Sequence, residues 1–61
     1  MSEHYILVVE DEAAIREMLH LALTKVGFAI REAADVRQAN YLIFERLPEL
    51  ILLDWMLPGT S

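Results

Sequence analysis

The chain has 61 residues, enough for one domain at most. Hydrophobic residues make up 56% of it, which argues against a disordered chain. The net charge of −5 argues against nucleic-acid binding by this segment, because phosphate contacts need an excess of Lys and Arg. The absence of cysteine excludes disulfides and thiolate zinc sites. It fits a reducing compartment, and we expect a cytoplasmic protein without membrane contact, since no apolar run approaches the ~18 residues of a membrane span.

The first predicted element is a strand, and a helix follows it. Residues 5–9 are continuously apolar and rich in β-branched side chains, which predicts a strand buried on both faces. Three acids come next, and Asp11 or Glu12 can cap the helix, which Gly27 is expected to end. Apolar residues at spacings of one, three and four predict this helix: Ala14, Ile15, Met18, Leu19, Ala22, Leu23 and Val26.

The second half of the chain repeats this alternation. Residues 28–33 predict an edge strand, with Arg31 and Glu32 marking its exposed side. Residues 35–38 have the form of a capping box, and the helix that follows is expected to run through Leu47 to a stop at Pro48. Residues 50–53 then predict another strand buried on both faces.

The β-α-β-α-β order predicts an α/β fold with a parallel sheet covered by helices, because such crossovers are right-handed. The first and third strands are the most apolar, so we expect them to be neighbours, with the second strand outside the first. The third strand would then have a bare edge. Because a domain of this size buries little surface and an apolar edge strand tends to associate, we expect a homo-oligomer formed through that edge.

Acidic residues follow two of the predicted strands. Glu10 and Asp11 come directly after the first strand, and Asp54 directly after the third. Ligands of open α/β sheets bind beyond the carboxyl ends of neighbouring strands, so these carboxylates are expected to converge. Clustered carboxylates favour a cation, and hard oxygen ligands suit Mg²⁺. A carboxylate can also attack phosphorus and form an aspartyl phosphate. The alternative, that acids after a strand only cap the next helix, stays open for Asp11 and is favoured for Glu12.

Two other kinds of site fit the residues less well. A dinucleotide-binding half-domain needs Gly-x-Gly-x-x-Gly after the first strand, where this chain has Glu-Asp-Glu-Ala-Ala. A haloacid-dehalogenase-like phosphohydrolase also uses an aspartate at a strand end, but it needs a second aspartate two residues later, where this chain has Met56.

Three segments carry a resemblance to a known family. Residues 8–12, residues 15–19 and residues 50–59 resemble the N-terminal half of a response-regulator receiver domain of the OmpR/PhoB subfamily. The acid pair is moderately specific, whereas Leu-Leu-Asp-Trp-Met-Leu-Pro-Gly at this separation from it is highly specific for receivers. The resemblance covers essentially the whole chain, so we expect residues 1–61 to be the truncated N-terminal half of such a domain.

The resemblance implies a flavodoxin-like fold and a signalling role in a two-component system, as a phosphoacceptor and not an enzyme. Asp54 matches the phosphoacceptor aspartate. Glu10 and Asp11 match the acidic pair that binds Mg²⁺, and Met56 matches the residue whose backbone carbonyl completes the metal site. A sensor histidine kinase would supply the phosphoryl group to control a transcriptional regulator.

Receivers of this family also have parts that lie beyond these residues. They continue with two more strands and three more helices, which carry further residues of the phosphorylation site. The resemblance implies DNA contact only through a C-terminal effector domain. An alternative for this chain is therefore a receiver fragment that does not signal and mainly self-associates through the bare edge of its third strand.

Overall fold

Residues 4–53 are described by a computed structural model, and five elements form within them. In chain order they are β1 (Tyr5–Val9), α1 (Ala13–Lys25), β2 (Ala29–Ala33), α2 (Val36–Glu45) and β3 (Leu50–Leu53). The strands are parallel, and their order in the sheet is β2-β1-β3. The α/β fold class and the central place of the first strand are therefore confirmed. Within this part of the chain, neither helix has the length and apolar character needed to cross a membrane.

The two helices lie on opposite faces of the sheet. Arg31 in β2 reaches Glu45 of α2, with 3.2 Å between Nη1 and Oε1. The next residue, Glu32, contacts α1 instead, where its Oε2 lies 2.5 Å from Nδ1 of His20. Consecutive strand residues point to opposite faces, so α1 and α2 sandwich the sheet. The prediction that Arg31 and Glu32 share one exposed side of the strand is therefore wrong.

The core lies between β1 and α2. All five residues of β1 are buried, as expected for a strand paired on both edges and covered on both faces. Tyr5 closes one end of this core, because its hydroxyl donates to the backbone carbonyls of Leu42 and Arg46 at the end of α2. The residues of the cluster are Tyr5, Leu7, Val9, Ala33 and Ala39, with Val36, Leu42 and Ile43 packed against them.

The capping residues that the sequence predicts are largely confirmed. Asp35 caps α2, where its Oδ1 accepts a hydrogen bond of 2.8 Å from the Gln38 backbone N–H. The Gln38 side chain reaches back one residue further than in a standard capping box and accepts from the Ala34 N–H. Gly27 follows α1 with a φ of 102°, a left-handed conformation that glycine adopts without strain. Glu12 occupies the N-cap position of α1, but its side chain makes no capping hydrogen bond.

The end of α2 differs from the prediction. The helix ends at Glu45, and Arg46 is already extended, with φ −162° and ψ 131°. Leu47 precedes Pro48, and the residue before a proline avoids the helical region because it clashes with the proline ring. The stop signal therefore acts earlier than expected, and Leu47 lies beyond the helix, 77% exposed.

The prediction that the third strand is buried on both faces is wrong. Leu50, Ile51 and Leu53 are 43–54% exposed. Among residues 4–53, β3 pairs only with β1, and neither helix packs across it. No residue of α1 is fully buried either, and Met18 on its predicted apolar face is 58% exposed. The apolar pattern marks surfaces suited to burial, but residues 4–53 cover only part of them.

Candidate functional site at the carboxyl end of the sheet

Glu10 is the buried acid of the site. It follows the last residue of β1 and is only 7% exposed. Its backbone N–H donates to the Ala33 carbonyl at the end of β2, at 3.0 Å. Its Oε2 accepts a hydrogen bond of 3.0 Å from the Glu12 N–H, just before α1 begins. One carboxylate oxygen thus fixes the start of the helix, and within residues 4–53 nothing donates to Oε1.

Asp11 is the exposed acid. It lies in a bend between β1 and α1, and its side chain has no hydrogen bond or ion pair with any other residue of the described range 4–53. The helix-capping alternative for Asp11 therefore finds no support in this part of the chain. Glu10 and Asp11 both follow β1 at the carboxyl end of the sheet, where Glu10 is buried and hydrogen-bonded and Asp11 is open to solvent.

Arg16 is a residue of this site that the sequence reasoning missed. From the first turns of α1, its Nη1 donates a hydrogen bond of 2.8 Å to the Glu10 backbone carbonyl. Its Nε lies 3.4 Å from Oε1 of Glu32 in β2, and the two side chains are 22% and 33% exposed. The sequence did show a basic residue, Arg16, in the helix that follows the acid pair. Its spacing from that pair could not show which group the guanidinium contacts.

The pairing of β1 with β3 fixes the relative position of the ends of these two strands. Val9 lies opposite Leu53 in the parallel register, so β1 and β3 end at the same level of the sheet. A shallow groove of about 220 Å³ opens at this end of the sheet, lined by Val9, Glu10, Leu19, Leu52 and Leu53. The two other predicted site residues, Asp54 and Met56, lie outside the described residues.

The donor chemistry of the described acids fits a hard divalent cation. Carboxylate oxygens are the ligands that Mg²⁺ prefers, and it keeps several waters while binding one or two of them. Glu10 offers Oε1, and the exposed Asp11 offers both of its oxygens. Within residues 4–53 no three His, Cys, Asp or Glu side chains gather closely enough to hold a metal by themselves. A complete protein site would therefore need donors in addition to this pair.

Comparisons with known proteins agree on one family. Residues 6–61 match the family model of the response regulator receiver domain. The chain is 57% identical over 56 residues to the phosphate regulon transcriptional regulatory protein PhoB of Pseudomonas aeruginosa and, equally, to PhoB of Escherichia coli. It is 44% identical over 54 residues to the transcriptional regulatory protein AfsQ1 of Streptomyces coelicolor.

These matches cover nearly all of this chain but little of its relatives. They span 92% of the chain for the two PhoB proteins and 88% for AfsQ1, and in each case 24% of the relative. The chain thus spans about a quarter of the length of the curated relatives it matches. The parallel β2-β1-β3 sheet and the acid pair after β1 agree with the family match over residues 6–61. The chain belongs to the response regulator receiver domain family and is of the OmpR/PhoB type.

Proposed function

We propose that the chain is the phosphoacceptor part of a two-component response regulator. Asp54 accepts a phosphoryl group from a sensor histidine kinase, with Mg²⁺ held by Glu10, Asp11, Asp54 and the Met56 backbone carbonyl. The observation that carries the proposal is the register of β1 and β3, in which Val9 lies opposite Leu53. In this register β1 and β3 end at the same level, and in the sequence the acid pair directly follows β1 and Asp54 directly follows β3.

The proposed reaction transfers a phosphoryl group from a nitrogen atom to an oxygen atom. A carboxylate oxygen of Asp54 attacks the phosphorus of a phosphohistidine, forming an O–P bond as the N–P bond breaks. The leaving imidazole nitrogen keeps the electron pair of the broken bond. When bound, Mg²⁺ neutralises negative charge on the phosphoryl oxygens. In this scheme Glu10 and Asp11 would serve only as ligands of the cation, whereas Asp54 would also supply the nucleophilic oxygen.

The wider role follows from the relatives. The two PhoB proteins and AfsQ1 are transcriptional regulatory proteins, so we propose that phosphorylation here controls a cytoplasmic transcriptional regulator of the phosphate-regulon type. DNA contact would come through a C-terminal effector domain, and residues 1–61 would be the N-terminal half of the receiver. The exposed faces of β3 support that division, since a receiver continues its sheet beyond this strand. The family assignment leaves no support for the haloacid-dehalogenase-like alternative.

A Mg²⁺ titration tests the metal site. Trp55 is the only tryptophan and directly follows Asp54, so its fluorescence can report the titration, with far-UV circular dichroism to confirm folding. We expect a saturable change in the wild type. Asp11→Asn should raise the dissociation constant by at least about tenfold, because an amide is a weaker ligand for Mg²⁺ than a carboxylate.

Glu17→Gln is the matched control for this titration. It removes the same charge from an exposed position of α1 and should leave the affinity nearly unchanged. Equal affinities in wild type and Asp11→Asn would remove Asp11 from the site. No saturable change in a folded wild type, by fluorescence and by calorimetry, would count against the proposed metal site as a whole.

Self-association is a second proposed property, and the exposure of β3 favours it. Ile51 is 43% exposed on a strand whose outer edge has no partner among residues 4–53. We expect the chain to form oligomers at micromolar concentration. Ile51→Lys should raise the dissociation constant at least about tenfold, or ~1.4 kcal/mol, because a charge on an edge strand opposes further pairing.

Sedimentation velocity measures this association. Phe44→Lys is the control, since Phe44 on α2 is 92% exposed and lies away from β3. If association used apolar surface in general, Phe44→Lys would weaken it as much as Ile51→Lys. A folded wild-type monomer at micromolar concentration would refute the prediction.

A further inference from the structure

Glu10 is held at several points. The Glu10 N–H is bound to Ala33 of β2, and Oε2 is bound by the Glu12 N–H. The remaining backbone polar group of Glu10 is its carbonyl, which is part of the same peptide unit as the Asp11 N–H. The orientation of this carbonyl therefore sets the orientation of the chain as it enters Asp11.

The Glu10 carbonyl is bound by a side chain and not by a backbone N–H of residues 4–53. It lies beyond the last residue of β1 and before the first residue of α1. Arg16 supplies the donor at 2.8 Å. Because Glu10 is buried, loss of this donor would leave its carbonyl without a partner in the described part of the chain, and an unsatisfied buried acceptor is costly.

The guanidinium that binds this carbonyl is itself anchored. Nε of Arg16 lies 3.4 Å from Oε1 of Glu32, and the other oxygen of the same carboxylate lies 2.5 Å from Nδ1 of His20. Arg16 and His20 are one helical turn apart on α1, so two side chains of that helix meet one acid of β2. Arginine can make both of its contacts at once because its donors point in fixed, divergent directions.

We propose that Arg16 is a positioning residue for the cation at the end of β1. It acts through the Glu10 carbonyl and holds the Glu10–Asp11 peptide so that the Asp11 carboxylate faces the metal. The inference rests on the proposed Mg²⁺ site and adds a residue that does not itself touch the ion.

Positioning and simple electrostatics predict opposite results. A cation next to a Mg²⁺ site repels the ion, so removing the Arg16 charge would by Coulomb's law tighten binding. Glu32 offsets much of that charge at close range, which makes the repulsion weak. A positioning role predicts weaker binding when Arg16 is lost, as happens for residues that orient metal ligands.

Calorimetric titration of the full chain with MgCl₂ separates these possibilities. Arg16→Gln should weaken Mg²⁺ binding about tenfold, in the range seen for residues that orient ligands. Arg16→Lys keeps the charge but reaches only one acceptor, so it should lose less than Arg16→Gln. Arg37→Gln, which removes the same charge from an exposed position in the first turn of α2, should bind as the wild type does.

Each other outcome has a defined meaning. Unchanged or tighter binding by a folded Arg16→Gln overturns the inference and leaves the proposed function standing. Absence of binding by the wild type overturns the proposed metal site and this inference with it. If circular dichroism shows that Arg16→Gln does not fold, Arg16→Lys decides: binding weaker than in Arg37→Gln supports positioning, and equal binding refutes it.

Discussion

Asp54→Asn is expected to abolish acyl-phosphate formation in the full-length protein. The amide has no charged oxygen to attack phosphorus, so labelling should fall at least about 100-fold, equivalent to about 3 kcal/mol of activation free energy. The measurement is incorporation of radiolabelled phosphate from a small-molecule acyl phosphate donor, which removes any dependence on kinase docking. The label should be released by hydroxylamine, as expected of a carboxylic–phosphoric anhydride.

The control for Asp54→Asn keeps the site intact. Glu17→Gln changes an exposed carboxylate on α1 in the same way and should be labelled like the wild type. Undiminished labelling of Asp54→Asn would place the nucleophile at another residue. Loss of labelling in both variants would show that the assay responds to net charge and not to the aspartate.

The second large effect is expected at the centre of the sheet. Leu7 is fully buried in the middle of β1, in the cluster that joins the strand to α2. Leu7→Ala should destabilise the fold by about 2–5 kcal/mol, because the loss of transfer free energy adds to the cost of a cavity. A domain of this size has roughly 3–9 kcal/mol of stability in total. The expected loss is therefore a large fraction of the total stability, and the urea midpoint should fall in proportion.

Urea unfolding followed by far-UV circular dichroism measures this loss. Leu47→Ala makes the same change at a position that is 77% exposed and outside any helix, and it should shift stability by less than about 0.5 kcal/mol. Similar losses in the two variants would contradict the burial of Leu7. A small loss in both would mean that β1 is not the centre of the core.

The site divides into a part that sequence predicts and a part that it does not. The parallel arrangement of the strands was predictable from the β-α-β-α-β order, and it places the carboxyl ends of β1 and β3 at one edge of the sheet, with Val9 opposite Leu53. The burial of Glu10 and the exposure of Asp11 were not predictable from the sequence, because both depend on where α1 starts. Arg16 was missed because its partner is a backbone carbonyl, which every residue has and no sequence pattern marks.

The sequence by itself determined the order of the elements, the central place of β1 and the residues at the helix ends. These features depend on local chemistry: five consecutive apolar residues suit a strand covered on both faces, and Asp35 and Gly27 satisfy backbone requirements within a few residues of themselves. Tertiary structure alone decided which apolar surfaces are covered. Residues 50–53 are as apolar as β1 yet stay largely exposed, because burial of a strand needs elements packed against both its faces and its edge, and within residues 4–53 only β1 reaches it.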